Sequence, residues 1–205
     1  MVAFDGGLVE VRWHGRGGQG AVTAAEILAH AAINEGKYAQ ASPSFGPERR
    51  GAPVLAYNRI SDQPILLRCE VYEPDIVVVI DTSLIKTVNV MQGLRPGGLL
   101  ILNTSKSPDE VKSMLLDAST PEQVRHLVKP DIRLVTVNAL RIALETIGIP
   151  IVNTSMLGAF VKATNIVGLE HVVECVKERF GKKAGEMNAN AVLRAYEETR
   201  VEGEE

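Results

Sequence analysis

Two stretches of this chain hold residues whose types and spacing could do chemistry. Gly15-Arg16-Gly17-Gly18-Gln19-Gly20 satisfies G-x-G-x-x-G through Gly15, Gly17 and Gly20. Further on comes Pro43-Ser44-Phe45-Gly46-Pro47-Glu48-Arg49-Arg50-Gly51. The glycine stretch lies between an apolar strand and an apolar-periodic helix, where such a loop brings backbone N–H groups close to a ligand. Those N–H groups and the helix dipole favour an anion, and Arg16 could add charge. The same turn also serves positive φ and close helix–sheet packing with no ligand at all. In the second stretch the prolines stiffen the loop and reduce the entropy lost on binding. Adjacent Arg49 and Arg50 suit a carboxylate, a phosphate or an acidic protein surface. The plainer alternative is a surface loop whose charges are solvated or pair with one another.

Common nucleotide fingerprints do not fit. A dinucleotide site wants an acidic residue at the end of the second strand, and that strand ends in Gln40-Ala41-Ser42, with Glu35 placed too early. No Lys-Ser or Lys-Thr follows Gly20, which removes a Walker A loop. No G-x-S-x-G elbow argues for a hydrolase. His14 precedes the glycine loop and reads either as a hydrogen-bonded strand-end residue or as a proton donor. His30, His126 and His171 have no partner at a metal-ligand spacing. Asp81 ends a buried strand at the carboxyl edge and reads as a helix cap in preference to a ligand contact, and Trp13 as core.

Positioning these residues requires strands and helices in alternation. Leu8 to Trp13 alternates apolar and polar residues as a strand does. Ala21 to Ile33 follows at helical spacing, and Gly36 ends it. Tyr38 to Ala41 is a short strand, and Ser42 to Ala52 reads as loop. Pro53 to Ile60 alternates, and the turn at Asp62-Gln63 leads to Ile65–Arg68 as an antiparallel partner. Ile76–Ile80, Leu99–Leu102 and Ile132–Val137 are apolar runs of buried parallel strands. Helices are predicted over 138–147, 156–163, 169–180 and 187–197, and the tail Glu202–Glu205 as frayed. The fold expected is an open, mostly parallel but mixed Rossmann-like α/β sheet, with helices on both faces and an antiparallel hairpin insert. The 205 residues fit one domain, 1–205. The arginine loop then leaves the same carboxyl edge as the glycine loop, so the two should be neighbours.

Bulk properties narrow the class. Aromatic residues are 4%, so the core must be Val, Ile, Leu and Ala. A net charge of −3 gives no reason to expect nucleic-acid binding. Cys69 and Cys175 stand apart, which fits a reducing compartment and argues against both a disulfide framework and a four-thiolate iron–sulfur cluster. No apolar run is long enough for a membrane span and no signal peptide is recognisable. The expectation is a cytoplasmic protein with no membrane association.

Together, residues 15–26 and 39–53 resemble the gamma subunit of the 2-oxoacid:ferredoxin oxidoreductases of the pyruvate and 2-ketoisovalerate type. Asn153–Ala159 is similar to a third family segment, and the resemblance runs from about Val9 to about Tyr196. It implies a complex that oxidatively decarboxylates a 2-oxoacid, passes the acyl group to coenzyme A as co-substrate and gives electrons to ferredoxin. The implied partners are alpha, beta and delta subunits. Thiamine diphosphate, Mg²⁺ and iron–sulfur clusters belong to those partners, and this chain holds none of them. Gly15, Arg16, Gly17, Gly18, Gln19, Gly20, Ser44, Arg49, Arg50 and Asn153 are the expected coenzyme A or active-site face, with no catalytic residue and no metal in this chain. The alternatives are a free-standing nucleotide-binding α/β protein and a purely structural scaffold.

Overall fold

The alternating segment becomes β1 (Leu8–Arg16) and the Val/Ile run becomes β4 (Ile76–Val79), and these two strands pair in parallel at the centre of the sheet. The computed structural model describes residues 7–44, 51–116 and 131–203. After β1 come α1 (Ala21–Asn34), β2 (Tyr38–Ser44) and β3 (Pro53–Ser61). After β4 come a 3₁₀ turn (Thr82–Lys86), β5 (Leu99–Asn103), α2 (Pro108–Leu116) and β6 (Arg133–Val137). The chain finishes with α3 (Ala139–Thr146), α4 (Asn153–Thr164), α5 (Leu169–Phe180), α6 (Lys182–Glu198) and β7 (Arg200–Val201).

Among the described residues the sheet has seven strands, in the order β2-β3-β1-β4-β5-β6-β7. Strands β1, β4, β5 and β6 run parallel, while β3 is antiparallel to both β2 and β1, and β7 to β6. The mixed, open Rossmann-like sheet is therefore as expected. The antiparallel hairpin is formed by β2 and β3, and Ile65–Arg68 forms no strand. The reason is simple: β2 and β1 occupy both edges of β3, so no edge remains for residues 65–68. Residues 62–75 instead cross back over one face of the sheet. Arg59 holds them there, donating to the carbonyls of Cys69 (2.7 Å) and Glu70 (3.1 Å).

Two apolar layers cover the sheet. Trp13, Ile76, Val78, Leu99, Ile101 and Val135 pack on one face with α1, α4, α5 and α6. The indole of Trp13 stacks on Phe160 and donates to Asn58 Oδ1 at 2.8 Å. On the other face Val77, Val79, Leu100 and Leu102 meet Leu84, Met91, Leu94 and Val111. That second layer stops at β1, whose residues on this face are Glu10, Arg12 and His14, all buried.

Three further differences have local causes. Pro43 and Ser44 belong to β2, because that strand pairs with β3 as far as Leu55. Helix α2 is opened by Ser107, whose Oγ accepts from Glu110 N while Glu110 Oε2 accepts from Ser107 N, a reciprocal cap that apolar periodicity does not reveal. Glu202 is not frayed: it accepts from Leu134 N at 2.9 Å and pairs with Lys112, which ties β7 to the sheet.

Candidate functional site

In an open α/β sheet the ligand crevice lies where chain connections diverge, at the carboxyl ends of the strands. Here that point is between β1 and β4: β1 leads through α1 to β2 on one side, and β4 leads to β5 on the other. The glycine turn follows β1 and Asp81 follows β4, so both reach this point.

The turn is closed by side chains. Gln19 Oε1 accepts from Arg16 N (2.7 Å), and Gln19 Nε2 donates to Asp81 Oδ2 (2.9 Å). Arg16 Nε donates to the same oxygen at 3.0 Å, and its Nη2 donates to Ser83 Oγ at 2.9 Å. Asp81 Oδ1 caps the 3₁₀ turn, accepting from Ser83 N at 2.9 Å. Burial alone would raise the Asp81 carboxyl. The hydrogen bonds from Ser83 and Gln19 and the charge of Arg16 outweigh that and hold its pKa below the ordinary value. Arg16 is thus a clasp, its charge already matched by Asp81.

The arginine loop returns beside this turn. Gly17 N donates to Ala52 O (2.9 Å), Gly51 N to Gly17 O (3.3 Å) and Arg16 Nη1 to Gly51 O (3.1 Å). Arg49 and Arg50 lie outside the described residues, as do Phe45–Glu48 and His126, but the return of their loop is anchored on the glycine turn. Ser44 is placed differently. It sits on β2, across β3 from β1, and its Oγ donates to Glu70 rather than toward the turn.

Asn153 does come to the turn. Gly20 has φ +81°, and a Cβ there would lie 2.6 Å from Asn153 Nδ2. Asn153 is 2% exposed; its Oδ1 accepts from Thr154 N, while its Nδ2 has no partner among the described residues. Two helix N-termini therefore converge. Neither α1 nor α4 has a side-chain cap or an acidic residue in its first turn, so both present free N–H groups and the positive dipole end. The positive ends of both helices thus meet at Gly20–Asn153.

His14 is no proton donor near neutral pH. It is 3% exposed, and burial first, then the neighbouring Arg12 charge, lower its pKa to about 3. Among the described residues no three His, Cys, Asp or Glu side chains gather to hold a metal ion, and no helix is long and apolar enough to cross a membrane. Sequence reasoning favoured a capping role for Asp81 over a ligand role and missed it as the hub of the turn. The signal available was an acid ending a buried strand at the divergence point.

Fold and site define a Rossmann-like α/β protein with a glycine turn at the strand-divergence crevice, built without the acidic ribose partner of a dinucleotide site. Residues 10–198 match the family model described as pyruvate ferredoxin/flavodoxin oxidoreductase. The chain is 52% identical over 194 residues to the pyruvate/ketoisovalerate oxidoreductases common subunit gamma of Thermococcus litoralis, covering 95% of this chain and 98% of that one. It is 49% identical to a pyruvate synthase subunit PorC of Methanothermobacter thermautotrophicus, with 93% and 96% covered. Its structure resembles the crystal structure of a pyruvate oxidoreductase subunit from Thermotoga maritima, at 38% identity and a TM-score of 0.80, covering 96% and 99% of the two chains. The chain belongs to the pyruvate ferredoxin/flavodoxin oxidoreductase family.

Proposed function

We propose that this chain is the gamma subunit of a 2-oxoacid:ferredoxin oxidoreductase, acting on pyruvate or a branched 2-oxoacid. Its carboxyl edge, with the glycine turn and the arginine loop, faces the subunits that carry thiamine diphosphate, Mg²⁺ and iron–sulfur clusters. The observation that carries this is the joining of the two motif segments: Gly17 exchanges backbone hydrogen bonds with Gly51 and Ala52, and Arg16 bridges both to Asp81. Family relatives of the same length named as gamma subunits support it. Thiamine diphosphate would supply the carbanion chemistry in a partner chain; this chain's part is to bind and orient. The N–H groups of α1 and α4, with Asn153 Nδ2, suit the anionic groups of coenzyme A, as do the charges of Arg49 and Arg50. The complex comprises alpha, beta and delta chains, works in the cytoplasm and delivers electrons to ferredoxin. The isolated chain, a single domain over residues 1–205, is inactive.

The test is reconstitution. Co-expressed with its alpha, beta and delta chains, the wild type restores 2-oxoacid- and coenzyme A-dependent dye reduction. The pair Arg49→Ala/Arg50→Ala raises the KM for coenzyme A or weakens assembly while leaving the isolated fold intact. Normal assembly with unchanged coenzyme A kinetics would remove the loop from the function.

A further inference from the structure

A second site lies on the opposite face of β1 from α1. Arg12, on β1, is 6% exposed, and no carboxylate lies within ion-pair distance of it among the described residues. Its own strand's acid, Glu10, is occupied by Arg59 (2.8 Å) and Arg95 (3.3 Å). Arg12 instead donates through Nε to His14 Nε2 (3.1 Å) and through Nη2 to the carbonyls of Val90 and Gln92. Neutral acceptors thus use one side of the guanidinium, and Nη1 has no partner among the described residues. Arginine stays charged in proteins, and a buried charge is costly unless matched. No carboxylate of the described residues pairs with Arg12 directly, and the acids of its cavity, Glu70 and Glu73, are exposed.

Space for an anion is present. A cavity of about 410 Å³ is lined by Arg12, His14, Leu55, Tyr57, Tyr72 and Val88, among others. Register places Tyr57 opposite Arg12 and Leu55 opposite His14 on the floor. The walls are residues 70–73 and the segment 88–93. These approach so closely that a Cβ on Gly93, whose φ is +73°, would lie 2.0 Å from the Tyr72 carbonyl oxygen. Glycine at 93 is what lets the cavity close on that side.

We propose that this cavity binds a small monocarboxylic acid, its carboxylate against Arg12 Nη1 and its short alkyl end against Leu55, Val71 and Val88. The lining tolerates at most a single negative charge, held at the buried Arg12 and away from the two exposed acids. One guanidinium supplies the attraction, while Glu70 and Glu73, also in the lining, repel a phosphate or a polyanion such as coenzyme A. The volume falls in the range of small-molecule sites. His14 is a positioning residue: its Nε2 accepts the hydrogen bond from Arg12 Nε and fixes the guanidinium on that side.

The experiment uses the purified chain, ¹⁵N-labelled, titrated with sodium acetate and sodium pyruvate against sodium chloride and phosphate at constant ionic strength. The Arg12 side-chain resonances should shift saturably with the carboxylates and not with chloride or phosphate. Arg12→Met should weaken binding at least about tenfold, since a hydrogen-bonded charge is lost. Should that variant fail to fold, two others carry the test. Glu73→Gln should tighten binding about two- to fivefold by removing a like charge. Tyr72→Ala, at a side chain 68% exposed, should weaken it with the fold unchanged. A non-saturating response, a response equal with chloride, or Arg12 resonances that move only on assembly with the partner subunits overturns the proposal. The last result would assign the cavity to a side chain of a neighbouring subunit.

Discussion

Arg16 Nε stands 3.0 Å from Asp81 Oδ2, and this contact fastens the glycine turn of β1 to the end of β4. Both side chains are partly shielded from solvent, and Asp81 serves Gln19 and Ser83 as well. Asp81→Asn keeps the acceptor but removes the charge, so it should cost about 1–2 kcal/mol at pH 7. The folded pKa of Asp81 is depressed, so its contribution is present above the ordinary carboxylate value of 3.8 and fades as pH falls below it through the folded pKa. Urea midpoints should therefore separate wild type from variant at pH 7 and converge in acid. Equal midpoints at pH 7 would show the clasp to be energetically idle.

Gly20 lies under Asn153 with φ +81°, so an alanine there meets two separate penalties. The left-handed backbone costs about 1–2 kcal/mol for a residue with a Cβ, and the Cβ also collides with Asn153 Nδ2 at 2.6 Å. The double variant Gly20→Ala/Asn153→Ala should recover the collision and leave the backbone penalty. A double-mutant cycle on urea stability reads this directly: the double variant should be more stable than the sum of the single changes. Strict additivity would mean that the two residues do not touch.

His14 makes the fold sensitive to acid. Its pKa is lowered from 6.5 to about 3, so below pH 6.5 the unfolded chain takes a proton that the folded chain refuses. Stability is unaffected above the ordinary value and falls as pH drops through the window from 6.5 toward 3. The slope from this residue alone is about 1.4 kcal/mol per pH unit in mid-window. His14→Gln, which keeps an acceptor for Arg12 Nε and does not titrate, should flatten that limb. Denaturant melts at pH 4, 5, 6 and 7 measure the slope. Parallel curves for the two proteins would contradict the buried neutral imidazole.

Much of this architecture was legible in residue patterns, for reasons that also explain what was hidden. The apolar runs at 76–79 and 99–102 show as buried parallel strands because both faces are apolar. The glycine turn shows because Gly15, Gly17 and Gly20 stand between a strand and a helix. Neighbourhood of the two loops followed from topology alone, and the Gly17–Ala52 and Gly51–Gly17 bonds bear it out. Pattern failed where pairing is non-local. The alternation of Glu10, Arg12 and His14 gives no sign of burial, yet all three are buried, and Arg12 reaches the carbonyls of Val90 and Gln92. Ile65–Arg68 has strand-like composition, but both edges of its expected partner β3 are taken by β2 and β1. The opening of α2 rests on a reciprocal cap rather than on an apolar stripe. Asp81 looked like a cap and is one, but its ties to Arg16 and Gln19 span more than sixty positions of sequence and leave no local trace.

Arg59 is the residue that holds the crossing segment 62–75 to the sheet. It is 5% exposed, pairs with Glu10 Oε1 at 2.8 Å and donates to the carbonyls of Cys69 and Glu70. Arg59→Met fills similar space but leaves Glu10 with only the half-exposed Arg95, and it orphans two carbonyls. Breaking one partner of a buried pair costs about 3–5 kcal/mol, and the loss should fall first on the segment that Arg59 tethers. Exposed Arg68 is a built-in reporter, being a tryptic site within that segment. Limited trypsinolysis under native conditions should cleave after Arg68 faster in the variant than in wild type, at concentrations of urea far below the global midpoint. Exposed Cys69 gives a second readout, because Cys175 is buried and reacts slowly. Faster cleavage accompanied by an unchanged Cys69 labelling rate would point to fraying at Arg68 alone. Acceleration of both, in step, is the expected result of releasing the whole crossing segment.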